Sequence, residues 1–314
     1  MSLNDFLVSQ KSFSDYENYD ANDTMGFYNK DELKFHTTLR VGGKPRILFV
    51  PKTLDELMGF VKEYSSYAVL GGGSNVLASD EGLPYPVIKL SQLPREIKKI
   101  EDEETHVLLL VTANISKSKL LSYCLKHGLE GAEFLAGIPG NIGGGIAMNA
   151  GTPDGEFSDI VQEVTVLKPN EEVVNLSNQD VGFSYRSAHL PPQAIILSTT
   201  LKLKKGDCRD IKNRVHDILE KRNKTQPVTY PNCGCIFKNP VLNGVQVSAG
   251  KLIDEAGLKG TQIGEALISS LHCNFFVNVG KAKASDMMEL IELAKTKVYE
   301  KYKVRLEEEV RIWR

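Results

Sequence analysis

The segment Gly137–Gly151 reads GIPGNIGGGIAMNAG, and six of its fifteen residues are glycine. Glycine costs roughly 1 kcal/mol in a regular element relative to alanine. Such a density among Ile138, Ile142, Ile146 and Met148 needs a reason. A flexible linker would be polar, and this segment is not. Two readings remain: close backbone approach to a large flat or anionic ligand, or tight packing between two elements. Upstream, Gly71-Gly72-Gly73-Ser74-Asn75 follows a strand-like run. Successive N–H groups in such a turn form a concave anion site suited to a pyrophosphate. A plain tight turn would use the same residues. The pattern lacks the closing Gly-Lys-Ser/Thr of a P-loop and the G-x-G-x-x-G of a dinucleotide fingerprint.

Three further clusters carry reactive groups. Phe183–Ser187 (FSYRS) sets Arg186 among aromatic and hydroxyl residues. Its planar fork suits a carboxylate or phosphate, although a surface arginine at a strand edge would look the same. Tyr230–Pro240 is YPNCGCIFKNP. A zinc site needs four ligands, and His272-Cys273 is the sole complement to Cys233 and Cys235, so no metal is expected. A redox pair would use C-x-x-C spacing. One thiol acting as a proton donor remains, since a free cysteine titrates near about 8.5. The alternative, a small buried hydrophobe, suits Cys233 better than Cys235. Glu307-Glu308-Glu309 reads as a solvated face, or, if the strand alternates, as one acid turned into a cleft. The six histidines show no metal-ligand spacing.

The elements that position these groups follow from periodicity. Arg46–Val50 and Tyr67–Leu70 read as strands flanking a helix capped by Thr53, with Leu54, Leu57, Val61 and Tyr64 on one stripe. Val107–Val111 reads as a buried strand, and Ser116 opens a helix that Gly128 ends. Val164–Leu167 and Ile195–Leu203 are strand-like. The character changes near Lys204. Helices are predicted over Asp210–Arg222, Lys251–Ala256 and Ser285–Tyr302, with strands at Phe275–Val279 and around Val310 and Ile312. Met287, Leu290, Ile291, Ala294 and Val298 share a helical face, which reads as core rather than as a binding stripe.

Composition bounds the whole. The 314 residues suit two domains or three small ones, and a boundary is placed near Lys204. Hydrophobic residues at 41% and charged residues at 25% are globular values. Thirty-eight basic against 40 acidic residues leave no surplus for a nucleic acid or an anionic membrane. No apolar run approaches the ~20 residues that span a bilayer. The first 30 residues read as a polar leader without a secretory pattern. Five cysteines, an odd and low count, fit reduced thiols in a cytoplasm.

Seven segments in order resemble the UDP-N-acetylenolpyruvoylglucosamine reductase family. They are HTTLRVGG (36–43), LGGGSNVL (70–77), GLEGAEFLAGIPGNIGGGIAMNAG (128–151), FSYRSAH (183–189), PNCGCIFKNP (231–240), AGKLIDEAGLKG (249–260) and LEEEVRIW (306–313). The resemblance implies an α+β fold of the vanillyl-alcohol-oxidase (PCMH) type. An FAD-binding domain would span 31–204, in subdomains of about 31–90 and 91–204, and a substrate-binding domain 205–314. The absence of an extra tyrosine-bearing loop resembles the shorter, type II form. FAD would be held non-covalently by Gly71, Gly72, Gly73, Ser74, Asn75, Gly137, Ile138, Pro139, Gly140, Gly143, Gly144 and Ala147.

The resemblance further implies that NADPH, as co-substrate, reduces FAD, whose N5 then passes hydride to the CH₂ carbon of UDP-N-acetylglucosamine enolpyruvate. Arg186 would bind the carboxylate, Glu309 would support the developing charge, and Cys235, where relatives carry serine, would supply the proton. Tyr185, Lys238, Asn239 and His272 would lie near the substrate. Thr152–Glu156 departs from the common Ala-Tyr-Gly-Gly-Glu. The chain is expected to be a cytoplasmic monomer without nucleic-acid or membrane partners. Its thiol predicts inactivation by alkylating reagents. A sugar or lactone oxidase of the same fold, and a binding protein with a decayed site, are the alternatives.

Overall fold

The computed structural model describes residues 31–314; the polar leader expected over residues 1–30 lies outside the described residues. The first region comprises β1 (Leu48–Phe49), α1 (Leu54–Glu63), β2 (Ala68–Leu70), β3 (Val76–Ala78) and β4 (Val87–Lys89). Thr53 Oγ1 caps α1 by accepting the Glu56 N–H at 3.1 Å. Leu57, Phe60 and Val61 form its buried stripe. β1, β4 and β2 make a parallel sheet in that order. The glycine segment at 71–75 is the connection from β2 to β3.

The central region is antiparallel. It contains β5 (Ile97–Asp102), β6 (His106–Thr112), α2 (Lys117–His127), β7 (Leu129–Glu130) and α3 (Ile142–Ala147). A hairpin of β8 (Gly151–Thr152) and β9 (Gly155–Glu156) leads to α4 (Phe157–Ile160), β10 (Val161–Leu167), β11 (Val173–Ser177), α5 (Asn178–Val181) and β12 (Ile195–Lys205). The sheet order is β11-β10-β12-β6-β5, with β7 also paired to β12. Leu109, Val111, Ile142, Ile146, Phe157, Val164 and Leu201 fill its core.

No helix is legible in Ile142-Gly-Gly-Gly-Ile-Ala147, yet α3 occupies it. Tertiary contact overrides propensity there. A Cβ at Gly143 would come within 2.9 Å of Ala113 Cβ, and one at Gly145 within 2.8 Å of Lys117 Cε. The glycines let a short helix lie directly on its neighbours.

The last region holds α6 (Cys208–Thr225), β13 (Asn232–Cys235), a hairpin of β14 (Val241–Leu242) and β15 (Val245–Gln246), and α7 (Ala249–Glu255). β16 (Gln262–Ile263), β17 (Ala266–Ile268), β18 (Phe275–Asn278), α8 (Ala284–Tyr302) and β19 (Arg311–Trp313) complete it. β13-β18-β17-β16 form one antiparallel sheet. The methionine-bearing stripe of α8 is core: Met287, Leu290, Ile291, Ala294 and Val298 are fully buried.

Contacts cross the boundary expected near Lys204. α6 packs on α2, and its Arg214 reaches Glu130 and Glu133 of the central region at 2.8 Å each. β19 returns to pair in parallel with β3, Arg311 opposite Val76 and Trp313 opposite Ala78. The chain end is thereby stitched to the strand that follows the first glycine loop.

Candidate active site

Cys235 and Glu309 are brought together by backbone pairing. Phe237 and Glu308 form an antiparallel bridge. The Glu309 N–H donates to the Ile236 carbonyl at 2.7 Å, and the Lys238 N–H to the Glu307 carbonyl at 2.8 Å. Asn75 fastens the pair to the first glycine loop. Its Nδ2 donates to the Glu309 carbonyl at 3.0 Å, and its own carbonyl accepts the Arg311 N–H at 3.0 Å. Expected as a cofactor ligand, Asn75 spends these groups on the protein.

Arg186 arrives from the central region. Ser184 and Ser187 exchange backbone hydrogen bonds at 3.0 and 3.1 Å, closing a tight turn. Arg186 sits in that turn at φ 57, a left-handed conformation costly for any residue but glycine. Asn149 anchors the turn. It is fully buried, and its Nδ2 donates to the Ser184 carbonyl at 3.2 Å and to Glu156 Oε1 at 2.8 Å. Arg186 Nε lies 2.9 Å from Glu309 Oε1. The N–H is not aligned with that oxygen, so the contact is a charge pair and Nε keeps an unmet hydrogen bond. Tyr185 is 42% exposed, with its ring centroid 5.1 Å from the guanidinium carbon.

The electrostatics favour the protonated acids. Burial raises the Glu309 pKa, and Arg186 and Lys238 only partly offset it. Burial pushes the Cys235 thiol up to about 12, and the Glu309 charge adds to that. Arg186, Arg222 and an Asn274 hydrogen bond act in the opposite direction. The proton therefore stays on sulfur throughout the neutral range. The thiolate is the nucleophile, so the expected alkylation of this half-buried thiol should be slow at neutral pH. At pH 7 only about one thiol in 10⁵ would be ionised. In a Cys208→Ser background, which removes a half-buried thiol elsewhere, iodoacetamide should modify Cys235 slowly. The rate should climb about tenfold per pH unit into the alkaline range. A plateau between pH 8 and 9 would contradict this burial.

The other expected substrate contacts have partners inside the protein. Lys238 Nζ pairs with Glu307. Asn239 Oδ1 accepts the Ala249 N–H at 3.0 Å, fixing the start of α7. His272 Nδ1 accepts the Asn274 N–H at 3.3 Å, and its ring meets Phe275 edge-on at 4.9 Å. Burial lowers the His272 pKa, which keeps the ring neutral. Asn274, which sequence reasoning missed, is 2% exposed. Its side chain pairs with both the N–H and the carbonyl of Phe237, at 2.9 and 2.8 Å. It thus locks the strand that carries Cys235.

The two glycine segments touch. A Cβ at Gly72 would come within 2.6 Å of Gly140 Cα, and one at Gly71 would lie 3.8 Å from Gly144 Cα. Tight packing thus accounts for Gly72, Gly140 and Gly143. It does not account for Gly144, which is exposed and whose Cβ would meet nothing within 4 Å. Nor does it account for the donors. Among the described residues, the N–H groups of Gly72, Gly73, Ser74, Gly140 and Asn141 donate to no protein group. Ile138 and Ala147 are half-buried against the central core, Gly137 packs on Arg222, and Pro139 is exposed. A cradle of unpaired N–H groups fits the pyrophosphate of a dinucleotide.

The family description "UDP-N-acetylenolpyruvoylglucosamine reductase, C-terminal domain" matches residues 226–313, and "FAD binding domain" matches residues 45–177. The UDP-N-acetylenolpyruvoylglucosamine reductase of Alkaliphilus oremlandii is 38% identical over 287 residues, 90% of this chain and 91% of that protein. The chain belongs to the UDP-N-acetylenolpyruvoylglucosamine reductase family. The member from Caldanaerobacter subterraneus subsp. tengcongensis is 37% identical over 290 residues, 91% of this chain and 93% of that one. The crystal structure of the reductase from Thermus caldophilus superposes with a TM-score of 0.78 at 38% identity. It covers 90% of this chain and 97% of that one. The expected α+β fold, an FAD-binding domain of the PCMH type with the family's C-terminal domain, is thereby established.

Two cations in this reductase-family chain escaped the sequence reading. Lys117, in the first turn of α2, is 4% exposed. Its Nζ donates to the Pro139 carbonyl at 2.9 Å, and among the described residues no carboxylate pairs with it. Arg222, from the last turn of α6, donates to the Gly137 carbonyl at 3.2 Å, and among the described residues its Nε has no hydrogen-bond partner. Burial lowers the Lys117 pKa to about 8, and the Arg222 charge adds to that. The folded value lies below the unfolded 10.5, so burying the ammonium costs stability below pH 8. That cost fades as pH rises from about 8 to 10.5. Lys117→Met should therefore stabilise the flavin-free protein near pH 7 by up to roughly 3 kcal/mol. Urea unfolding at pH 7 and pH 10 checks this: the advantage should shrink at the higher pH. A variant less stable than wild type at both would contradict it.

Proposed function

We propose that the chain reduces the enolpyruvyl ether of UDP-N-acetylglucosamine enolpyruvate to UDP-N-acetylmuramate, with FAD as cofactor and NADPH as reductant. The observation that carries this reading is the convergence of Arg186, Glu309 and Cys235, fastened by Asn75 to the glycine cradle. FAD supplies hydride-transfer chemistry when bound. In this reading, the Gly71–Asn75 loop and the 137–147 segment hold the dinucleotide, and Tyr185, Lys238, Asn239 and His272 line the substrate side. Residues up to Thr225 would carry the cofactor, since α6 packs with the central region, and residues from Gln226 the substrate.

The three side chains divide the work. Arg186 binds and polarises the enolpyruvyl carboxylate through its free donors. Glu309, in its acid form, donates a hydrogen bond to the charge that builds on the same carboxylate. Cys235 Sγ holds the proton that the α-carbon receives. We further read the chain as a cytoplasmic monomer that binds neither nucleic acid nor membrane, supported by five free cysteines and a net charge of −2. Among the described residues no helix is long and apolar enough to cross a membrane.

An anaerobic absorbance spectrum tests the reading. The flavin band should bleach with NADPH and return when the enolpyruvyl nucleotide is added. Bleaching reversed by air but not by that nucleotide would favour the oxidase alternative. A protein that takes up no flavin would favour the binding-protein alternative.

A further inference from the structure

A buried lysine without a carboxylate is expensive, and Lys117 has no structural need of its charge. Its stem passes between Gly145 and Gly140, and a Cβ at Gly140 would lie 3.6 Å from Nζ. The carbonyl it bonds, Pro139, also accepts the Ser74 hydroxyl at 3.2 Å. Nζ therefore stands beside Gly140 and shares the Pro139 carbonyl with Ser74, where the two glycine segments meet; among the described residues the N–H groups of Ser74, Gly140 and Asn141 donate to no protein group. One of its three protons serves Pro139, and two remain. The one charged side chain coupled to it among the described residues is Arg222, another cation. Two like charges are thus drawn toward one glycine segment, and among the described residues no carboxylate pairs with either.

We propose that Lys117 is a cofactor-binding residue, its buried ammonium serving as counter-charge to a diphosphate seated in the glycine cradle. The inference rests on the reading of that cradle as the FAD site. A diphosphate also occurs in NADPH and in the UDP-linked substrate, and the test separates the three. Lys117 differs from an exposed phosphate-binding lysine in one respect. Its charge is lost near pH 8 rather than above 10. Diphosphate binding, which pulls the proton back onto nitrogen, should weaken as pH rises through that range in the flavin-free protein. Arg222 does not titrate there and sets a constant background.

Flavin-free wild type, Lys117→Met and Lys117→Gln should be titrated with FAD, and separately with riboflavin, following flavin fluorescence at pH 6.5 and pH 9.5. Wild type should lose about tenfold in FAD affinity between the two pH values, and both variants should bind FAD about tenfold more weakly at pH 6.5, without that pH dependence. Riboflavin, which has no diphosphate, should bind all three proteins alike. Equal FAD affinity in all three would overturn the proposal, as would an equal loss of FAD and riboflavin, which would mark a packing role. An unchanged FAD affinity with a raised KM for NADPH or for the UDP-linked substrate would overturn the FAD assignment. If wild type itself bound no FAD, the reading of the cradle would fail rather than this one. Thermal melting of the flavin-free variants, expected at or above wild type, excludes misfolding as the cause of weak binding.

Discussion

Cys235→Ala should slow reoxidation of the reduced enzyme by the enolpyruvyl substrate by about 10²–10⁴-fold, the usual worth of a positioned acid. Reduction by NADPH should be unchanged, since that step needs no proton from sulfur. Cys235→Ser should keep most of the turnover. The geometry behind this is specific. Sγ sits on a strand whose backbone Asn274 pins through both backbone groups of Phe237, which fixes where the thiol starts from. Glu309 is held against the same strand by the Ile236 carbonyl. A thiol raised to about 12 is a weak acid, yet its partner here is a carbon that has just become strongly basic. It remains more acidic than water at about 15.7. The raised value has a use of its own, because the proton is still in place when the substrate arrives. The thiolate left behind faces Arg186 and Arg222, which both favour it. Stopped-flow absorbance resolves the two half-reactions. Equal losses in both, or no loss in the second, would remove Cys235 from the proton-donor role.

What could be read beforehand follows a physical divide. Thr53, Ser116 and Gly128 end their helices as expected because capping is local: each bonds within four residues of itself. The α8 stripe was legible for the same reason. α3 was not, because the packing that requires Gly143 and Gly145 comes from Ala113, Lys117 and Phe157, outside the helix. The candidate site divides in the same way. Arg186, Cys235 and Glu309 stand in segments that resemble one family, and pairing of 236–238 with 307–309 brings two of them together. Asn75 and Asn239 also have structural partners that no local pattern shows, because topology alone brings the Glu309 carbonyl to Asn75 Nδ2 and the Ala249 N–H to Asn239 Oδ1. Lys117 carried no signal, since a lysine in the first turn of a helix reads as solvated. Only the crossing of two distant glycine segments buries it.

Arg186→Ala should cost about 10²–10³-fold in the same oxidative half-reaction, the scale for losing a donor aimed at developing charge. Arg186→Lys should lie between that and wild type, because charge survives while the fork does not. Folding separates from chemistry at this position. The φ of 57 means that Arg186→Gly should be more stable than Arg186→Ala by about 1 kcal/mol, though equally inactive. Losing the arginine also removes the main influence that lowers the Glu309 pKa, so the carboxyl should hold its proton to higher pH. In wild type the oxidative rate should fall as pH rises through the raised Glu309 pKa, since only the acid form donates. In Arg186→Ala that decline should move to higher pH, and in Glu309→Gln, whose amide donates at any pH, it should disappear. A decline that stays in place in all three would mean that Glu309 does not donate to the substrate. The arginine would then stand alone against the carboxylate, with Glu309 serving only to orient it.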